Sequence, residues 1–286
     1  MRVVCAGHLN WDIRLRVDRL PAPDSEGRIK DRTESGGGSA ANVAVGLSSL
    51  GCAPAMLGSV GDDDRGNSAR GRLERADVRQ YVRTVEDAET TAKYVFTDDD
   101  GEVAMLESGG ANEAFEADDL PSKALVDADM LHLTGQDPQT AAELAERAVD
   151  HDVLVSFDPG RRVDSRDYST TLRRTDLLFV NRREAAAVDI AVPWRITKLG
   201  GDGAVCAGPE GAEISHPGFD IETVRDTTGA GDAFAAGFLA AWFEDTDPER
   251  ALSVANAAGA LAAGTRGVDI DLSWDRINDL RKDQPR

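Results

Sequence analysis

The sequence predicts an α/β protein with three layers, in which a mainly parallel sheet carries helices on both faces. Strand-like apolar runs alternate with helical patterns along most of the 286 residues. Such alternation favours parallel strands, because each crossover helix covers one face of the sheet. The length suits one large domain or two smaller ones. The chain has no evident linker or internal repeat, so we expect one domain over residues 1–286.

The beginning of the chain contains two predicted strands and two predicted helices. Residues 1–7 predict a strand that ends at a glycine, and glycines 36–38 predict a flexible loop. The apolar spacing after this loop predicts an amphipathic helix that ends at Gly51. Residues 53–61 predict a second strand, and residues 62–78 predict a helix after an acidic turn.

A predicted β-hairpin interrupts this alternation. Two strand-like runs within residues 91–108 flank an acidic turn that ends in glycine, which is typical of a hairpin. From residue 128 the alternation returns. Further strands are predicted at 129–135, 152–160, 176–180 and on both sides of the glycine turn in 195–208. Further helices are predicted at 137–150, from 181 onwards, at 229–245 and at 247–267.

Composition and charge exclude several classes of protein. The chain has no apolar run of the roughly 18 residues that a membrane span needs, and its start lacks the apolar core of a signal peptide. The three cysteines have no disulfide or metal spacing, which favours a reducing compartment. We therefore expect a cytoplasmic protein. The net charge of −20 argues against nucleic acid and anionic membranes as partners.

The charge also predicts a halophilic source. Only five of the 32 basic residues are lysines, and acidic residues number 52. Such a surface suits very high salt, where repulsion between carboxylates is screened. We expect activity and folding to fade at low salt.

A glycine-rich turn before a helix carries the main chemical signal. Gly229, Ala230 and Gly231 precede Asp232 and a long apolar helix. Backbone N–H groups in the first turn of such a helix form a site for anions. A carboxylate there either caps the helix or accepts a proton from an attacking hydroxyl, and the residues alone leave both readings open. Phosphoryl transfer is the chemistry that needs both an anion site and a base.

Two stretches of the chain resemble the signatures of one family. Residues 226–241 resemble the carboxyl-terminal signature of the ribokinase-like (PfkB) carbohydrate kinases, and residues 36–67 resemble their amino-terminal signature. The resemblance extends over residues 2–270. It implies a ribokinase-like three-layer fold, with a small β lid formed by about residues 11–35 and 88–108. It also implies an ATP-dependent phosphotransferase that acts on a hydroxyl of a small sugar. A dinucleotide-binding loop is the rival interpretation, but no GxGxxG follows the first strand.

The resemblance assigns roles at the acceptor end of the site. Asp232 matches the catalytic base, and Gly229, Ala230 and Gly231 match the anion hole. The residues that match sugar contacts are Asn10, Asp12, Gly37, Gly38, Asn42 and Arg162. The stretch that contains Arg162 resembles a DPNxR pattern, with Gly160 in place of asparagine. For Arg162, surface charge explains the pattern equally well.

The resemblance also assigns a nucleotide site. Asn181 and Glu184 match an NxxE motif that places Mg²⁺ and the phosphates through water, which suits an ion that keeps its hydration. On its own, so short a pattern favours a solvated helix start. The other matching residues are Lys198, Gly200, Gly203 and Asn256.

Two departures from the family bear on this nucleotide site. Many relatives have threonine where Lys198 stands. The segment 181–198 is also short for the family, and it contains Pro193. We therefore expect the helix that usually lies there to be clipped.

Two further expectations concern a cation and a partner. Asp226 and Thr228 match residues that surround a monovalent cation such as K⁺ in many relatives, and residues 265–267 match the other half of that ring. Asp226 would otherwise only fix the loop. Relatives often pair through the lid, so a homodimer is a further possibility.

The acceptor itself stays open at this level. A sugar kinase is the first hypothesis, and a nucleoside kinase is the second, with Trp11 and Phe96 as candidate stacking surfaces for a base. A nucleotide or sugar sensor without catalysis is the third, although Asp232 and its glycine loop argue against it. The predicted hairpin offers Lys93 and Tyr94 but no arginine, which argues against a keto-deoxy acid.

Overall fold

Strands and helices alternate along much of the chain, as predicted, and most regularly from β8 to β11. The structure, a computed structural model, describes residues 1–265 and 272–284. The strands are β1 Arg2–Ala6, β2 Asn10–Val17, β3 Ile29–Gly37, β4 Ala53–Gly61, β5 Arg79–Val85, β6 Ala92–Thr97, β7 Val103–Ser108, β8 Met130–Thr134, β9 Leu154–Asp158, β10 Leu177–Asn181, β11 Trp194–Lys198, β12 Ala204–Ala207 and β13 Glu213–His216. The helices are α1 Ser39–Ser49, α2 Asp64–Arg75, α3 Ser122–Val126, α4 Pro138–Val149, α5 Ser169–Leu172, α6 Arg182–Ala185, α7 Ala230–Asp245, α8 Pro248–Ala263 and α9 Trp274–Asp283.

The large sheet is mainly parallel. Within the described residues its order is β13-β12-β11-β10-β9-β8-β1-β4-β5. All neighbours from β11 to β5 are parallel, and β12 and β13 are added antiparallel at one edge. The carboxyl ends of the parallel strands therefore meet at one edge of the sheet, where ligands usually bind in open α/β folds.

Strand β10 shows why this sheet needs helices on both faces. Leu177 and Phe179 pack into one core, which also contains α1, α7 and α8. Leu178 and Val180 alternate with them and pack into a second core with α4. All four side chains are at most 1% exposed. Successive strand residues point to opposite faces, so an unbroken apolar strand requires two covered faces. The prediction of three layers is confirmed.

A separate small sheet has the order β3-β2-β6-β7. The hairpin of β6 and β7 is confirmed, whereas β2 and β6 pair in parallel. Side chains alternate along β2, so Ile13 lies on an apolar face with Ala92, and Asp12 lies on the other face. Lys93 on β6 is the register partner of Asp12 and lies on that same face. This polar face is the one that carries the acceptor residues predicted from the sequence.

Four strands were not predicted, β2, β3, β5 and β13, and two of these, β3 and β5, carry no apolar signal. Strand β3 is charged and mostly exposed, and β5 has few buried side chains. Backbone hydrogen bonds to β2 and β4 hold them at the edges of their sheets. An edge strand needs no apolar pattern, because neither of its faces has to be fully buried.

Three smaller expectations can be compared with the fold. Helix α6 has four residues, so the clipped helix after Asn181 is confirmed. Cys5 and Cys206 are buried free thiols, and Cys52 is partly buried. In the described part of the chain, no helix is long and apolar enough to span a bilayer.

Candidate active site

Most of the predicted site residues meet at the carboxyl edge of the large sheet, facing the small sheet. The parallel strands bring together chain segments that are far apart in sequence. The residues at this edge include Asn10 and Asp12 at the start of β2, Asp158 at the end of β9, Asn181 at the end of β10, Lys198 at the end of β11 and Asp232 in the first turn of α7.

The three residues of the predicted anion hole lie at the amino terminus of α7, where the Ala230 N–H already donates to the Thr227 carbonyl oxygen at 3.2 Å. Gly229 is the N-cap with φ 79°, a left-handed conformation that glycine adopts without strain. Lys198 faces this turn, because its Nζ lies 3.6 Å from the position of a Cβ built on Gly231. The Lys198 ammonium also lies 2.5 Å from Asp158 Oδ2. Burial opposes the charge on Lys198, but the carboxylates of Asp158, Glu184 and Asp232 together outweigh it, and the pKa of Lys198 is raised.

Asp232 is held by a side chain from the other half of the chain. Asn42 Nδ2 donates to Asp232 Oδ2 at 2.8 Å, and Arg72 Nη1 donates to Asn42 Oδ1 at 3.2 Å. Burial raises the pKa of Asp232 to about 6; the Asp158 carboxylate adds to this, and Asn42 opposes it. A carboxylate with a raised pKa beside an anion hole is better suited to accept a proton than an ordinary aspartate.

The acceptor end contains a buried carboxylate. Asp12 is 4% exposed and accepts from Asn10 Nδ2 at 2.7 Å and from Arg14 Nη2 at 3.3 Å. Burial raises the pKa of Asp12, although Arg14 opposes it. The glycines beside it leave room for this arrangement. A Cβ on Gly37 would lie 2.5 Å from the Asp12 carboxyl group, and one on Gly38 would lie 2.2 Å from a backbone oxygen.

The NxxE residues form a capping box at the start of α6. Asn181 Oδ1 accepts from the Arg183 and Glu184 N–H groups, both at 2.9 Å. Glu184 Oε2 accepts from the Asn181 N–H at 2.9 Å. The two residues do start a helix, as the alternative expected, but Glu184 is not solvated, because it is only 4% exposed. The second oxygen of Glu184 has no hydrogen-bond partner among the described residues.

The rest of the predicted nucleotide side surrounds the turn after β11. Gly200 and Gly203 have φ of 68° and 93°, and a Cβ on Gly203 would lie 2.1 Å from a carbonyl oxygen of His216. Asn256 on α8 is 6% exposed and donates to the same carbonyl at 3.2 Å. The Asn256 amide therefore ties α8 to the end of β13.

The predicted cation residues are engaged by the protein itself. Asp226 Oδ1 accepts from the Thr228 N–H at 2.8 Å, and Asp226 Oδ2 lies 3.3 Å from Arg14 Nε. Thr265 is described, but residues 266 and 267 of the predicted ring lie outside the described residues. Both Asp226 oxygens thus have partners that fix the loop before α7. Within the described ranges, no group of three His, Cys, Asp or Glu side chains forms a direct metal site.

Arg162 lies further along the same edge, in a network of charges. It donates to Glu107 Oε1 at 2.9 Å and to Glu113 Oε1 at 3.3 Å. The alternative of surface charge stays open, because the Arg162 side chain is 41% exposed and both its partners are carboxylates of the protein. Arg166 shares Glu113 with it at 2.8 Å.

Several residues at this edge were missed by sequence reasoning. Asp158 ends a predicted strand, and a carboxylate at the carboxyl end of a strand was the signal that could have identified it. Arg14 lies two residues after Asp12, on the same face of a strand. Glu113 and Arg166 had no signal, because only the fold brings them together.

The comparisons with known proteins agree with this geometry. A family model described as pfkB family carbohydrate kinase matches residues 1–275. An ATP-dependent ribose-1-phosphate kinase from Halopiger xanaduensis is 50% identical over 279 residues, which cover 94% of each chain. A nucleoside kinase from Methanocaldococcus jannaschii is 28% identical, and the match covers 96% of this chain and 95% of the relative.

Solved structures show the same fold. The crystal structure of the M. jannaschii nucleoside kinase superposes with a TM-score of 0.86 at 26% identity, covering 99% of this chain and 98% of that one. Arabidopsis thaliana ribokinase complexed with ribose and ATP gives a TM-score of 0.87 at 25% identity, with 98% of both chains covered. The family match and the relative with 50% sequence identity both span nearly the whole chain. This protein therefore belongs to the pfkB family and is a carbohydrate kinase.

Proposed function

We propose that this protein transfers the γ-phosphoryl group of ATP to the primary hydroxyl of ribose 1-phosphate. The observation that carries the reaction type is Asp232, which Asn42 holds beside the amino terminus of α7. The acceptor is proposed from the 50% identity to an ATP-dependent ribose-1-phosphate kinase and from the cationic side chains at the acceptor end.

In the proposed mechanism, Asp232 accepts the proton of the attacking hydroxyl. Its pKa of about 6 leaves it ionised at neutral pH, yet basic enough for the transfer. Asn42 uses both ends of its amide, one on Asp232 and one on Arg72, so the carboxylate keeps a fixed orientation.

The developing charge on the transferred group meets fixed donors. In this proposal the donors are the Gly229 and Gly231 N–H groups and the Lys198 ammonium, whereas the Ala230 N–H already donates to the Thr227 carbonyl oxygen at 3.2 Å. Such pre-oriented donors stabilise the transition state without reorganisation. Mg²⁺ would be held through water by the unengaged oxygen of Glu184 and would neutralise the nucleotide phosphates. This oxygen has no partner in the described part of the chain and fits such a role, whereas Asn181 Oδ1 is used by two backbone N–H groups.

The acceptor would lie between the small sheet and the edge of the large one. Asn10 and Asp12 are positioned to bind its hydroxyl groups, and Gly37, Gly38 and Asn42 would line the same space. Lys93 supports an anionic acceptor, because it lies opposite Asp12 in register. Among the described residues, no carboxylate oxygen lies within 4 Å of its ammonium group.

A nucleoside acceptor is less well supported. Trp11 and Phe96 were the candidate stacking surfaces, but both pack on the apolar face of the small sheet with Ile13. That face is opposite to the one that carries Asp12 and Lys93. The sensor hypothesis is also disfavoured, because Asp232 is present and held in place.

Further parts of the proposal follow from the sequence. The chain would act as a single domain, with about residues 11–35 and 88–108 as a lid that excludes water, and homodimers would form through this lid. Gly200, Gly203 and Asn256 would line the nucleotide site. The net charge of −20 supports a halophilic, cytoplasmic enzyme. Both oxygens of Asp226 already have a partner, and no step is assigned to K⁺.

The test is ADP release with Mg·ATP in concentrated KCl against a panel of acceptors. The panel holds ribose 1-phosphate, ribose, fructose, adenosine, cytidine and guanosine. We expect ribose 1-phosphate to be the strong acceptor, and the Asp232→Asn variant to bind ATP without turnover. A nucleoside or free sugar as the sole strong acceptor would refute the proposed substrate, and turnover by the variant would refute the mechanism.

A further inference from the structure

We propose that Arg162 and His8, positioned by Glu113 and Arg166, bind the phosphate group that the acceptor already carries. This inference rests on the proposed function and identifies the residues that would select a phosphorylated sugar over a free one. The bound phosphate is not transferred; it only anchors the acceptor.

Glu113 is the centre of this phosphate clamp, which consists of His8, Glu113, Arg162 and Arg166. Arg166 donates two hydrogen bonds to it, from Nη1 to Oε1 at 2.8 Å and from Nη2 to Oε2 at 3.0 Å. His8 Nε2 lies 2.7 Å from Oε1, and Arg162 Nη1 lies 3.3 Å from it. Burial raises the pKa of Glu113, but the hydrogen bonds from His8 and Arg166 outweigh it and bring the pKa to about 2. Glu113 therefore stays ionised and keeps its donors in place.

The clamp lies at the same edge as the proposed acceptor site. His8 follows β1, and its carbonyl oxygen lies against Gly38, where a Cβ would be only 2.2 Å away. Arg162 and Arg166 follow β9, which is separated from β1 only by β8. The clamp is thus contiguous with the glycine turn that opens α1.

The small sheet connects the clamp to the acceptor carboxylate. Arg162 pairs with Glu107 on β7, Glu107 is opposite Lys93 on β6, and Lys93 is opposite Asp12 on β2. Neighbouring strands are about 4.8 Å apart, so this chain spans roughly 10 Å between Asp12 and Glu107. A pentose held by Asp12 can therefore extend its phosphate towards Arg162.

The ion pair between Arg162 and Glu107 can be replaced by a pair between Arg162 and a phosphate at little cost in stability. The side chains of Arg162 and Glu107 are 41% and 36% exposed, whereas those of Arg166 and Glu113 are 24% and 19% exposed. Exposed pairs contribute little stability, so a phosphate dianion can take the place of Glu107. Arg162, Arg166 and Glu113 then carry one net positive charge, and Lys93 adds a second. A guanidinium with paired donors suits a phosphate group.

A buried amide, Gln136, lies beside the clamp and supports it through its backbone. Gln136 is 0% exposed, and neither its side-chain oxygen nor its nitrogen has a hydrogen-bond partner among the described residues. Its backbone oxygen accepts from Arg166 at 2.9 Å and from Tyr168 at 2.6 Å. Its Oε1 lies 3.2 Å from a Cβ built on Gly7, the residue before His8.

The main test uses Arg162→Met, with Arg161→Met as the matched control. Arg161 is the exposed neighbour in the same turn and lies outside the clamp. The readouts are the affinity for ribose 1-phosphate by calorimetry without nucleotide, and the ratio of kcat/KM for ribose 1-phosphate to that for ribose. Arg162→Met should lower the affinity and the ratio about 10- to 100-fold, because a charge-assisted hydrogen bond is lost. Arg161→Met should change neither.

A second variant tests the positioning role of Glu113. Glu113→Gln should raise the KM for ribose 1-phosphate about tenfold or more and leave kcat at saturation nearly unchanged, since the reacting groups are untouched. Circular dichroism of each variant checks that it is folded. In the wild type, inorganic phosphate should compete with ribose 1-phosphate, and this competition should weaken in Arg162→Met.

The outcomes separate this inference from the proposed function. If the wild type uses ribose 1-phosphate but Arg162→Met and Glu113→Gln keep its affinity and ratio, the clamp is refuted and the function stands. If the wild type neither binds nor phosphorylates ribose 1-phosphate, both are refuted.

Discussion

Replacing Asp232 with asparagine should stabilise the fold while it abolishes phosphoryl transfer. Burial, with a contribution from the Asp158 carboxylate, raises the pKa of Asp232 from 3.8 to about 6. The folded state therefore binds the proton more tightly than the unfolded chain, and the ionised form destabilises the fold. Asparagine has no charge, and its side-chain oxygen can still accept from Asn42.

The magnitude follows from the two pKa values. Their difference of about two units corresponds to roughly 3 kcal/mol, and we expect about 1–3 kcal/mol because the side chain is partly exposed. The direction of the pH dependence follows from the raised pKa of Asp232 in the folded state. The stability that the wild type gains from protonation is fully present below about pH 4 and is lost as the pH rises towards 6. The advantage of Asp232→Asn should therefore grow across that window and stay constant above it.

The assay is urea denaturation of both proteins at pH 8 and pH 4.5 in the same concentrated KCl. We expect the variant to be more stable by about 1–3 kcal/mol at pH 8 and by about 1 kcal/mol or less at pH 4.5. Asp279→Asn is the matched control, because that side chain is 72% exposed and changes the net charge equally. A variant no more stable than wild type at pH 8, or an advantage independent of pH, would refute the reasoning.

Three further substitutions test the site and the core. Asn42→Ala removes a hydrogen bond that lowers the pKa of Asp232, so the acidic limb of the pH–rate profile should move to higher pH and kcat should fall about 10- to 100-fold. Lys198→Met should lower kcat at saturating ATP by about 100-fold or more, since it removes a cation beside the transferred group; an unchanged kcat would exclude this role. Gly237→Ala would place a Cβ 2.9 Å from Ala258 Cβ between α7 and α8, so denaturation should report a loss of about 1–3 kcal/mol.

Much of the fold could be predicted because its signals are local. The apolar run of β10 and the helical spacing of α7 each follow from residues that are neighbours in sequence. Strand β3 was not predicted because it is mostly exposed and has no apolar pattern. Its backbone pairing with β2 keeps it in the sheet. An exposed edge leaves no apolar period to detect.

The site was predicted in part for the same reason. The glycine turn and Asp232 lie within four residues, so their chemistry could be inferred directly. The partners of this turn come from distant segments. Asn42 is 190 positions from Asp232, and Asp158 is 40 positions from Lys198.

The sequence by itself determined the layered α/β architecture, the family and the central role expected for Asp232, because hydrophobic period and glycine turns act over a few residues. Only the tertiary structure decided how the charges are paired. It joined Glu113 to Arg166 across 53 positions and directed Lys93 to the polar face of the small sheet. Electrostatic interactions depend on distance in space and on burial, and neither quantity can be read from the order of residues along the chain.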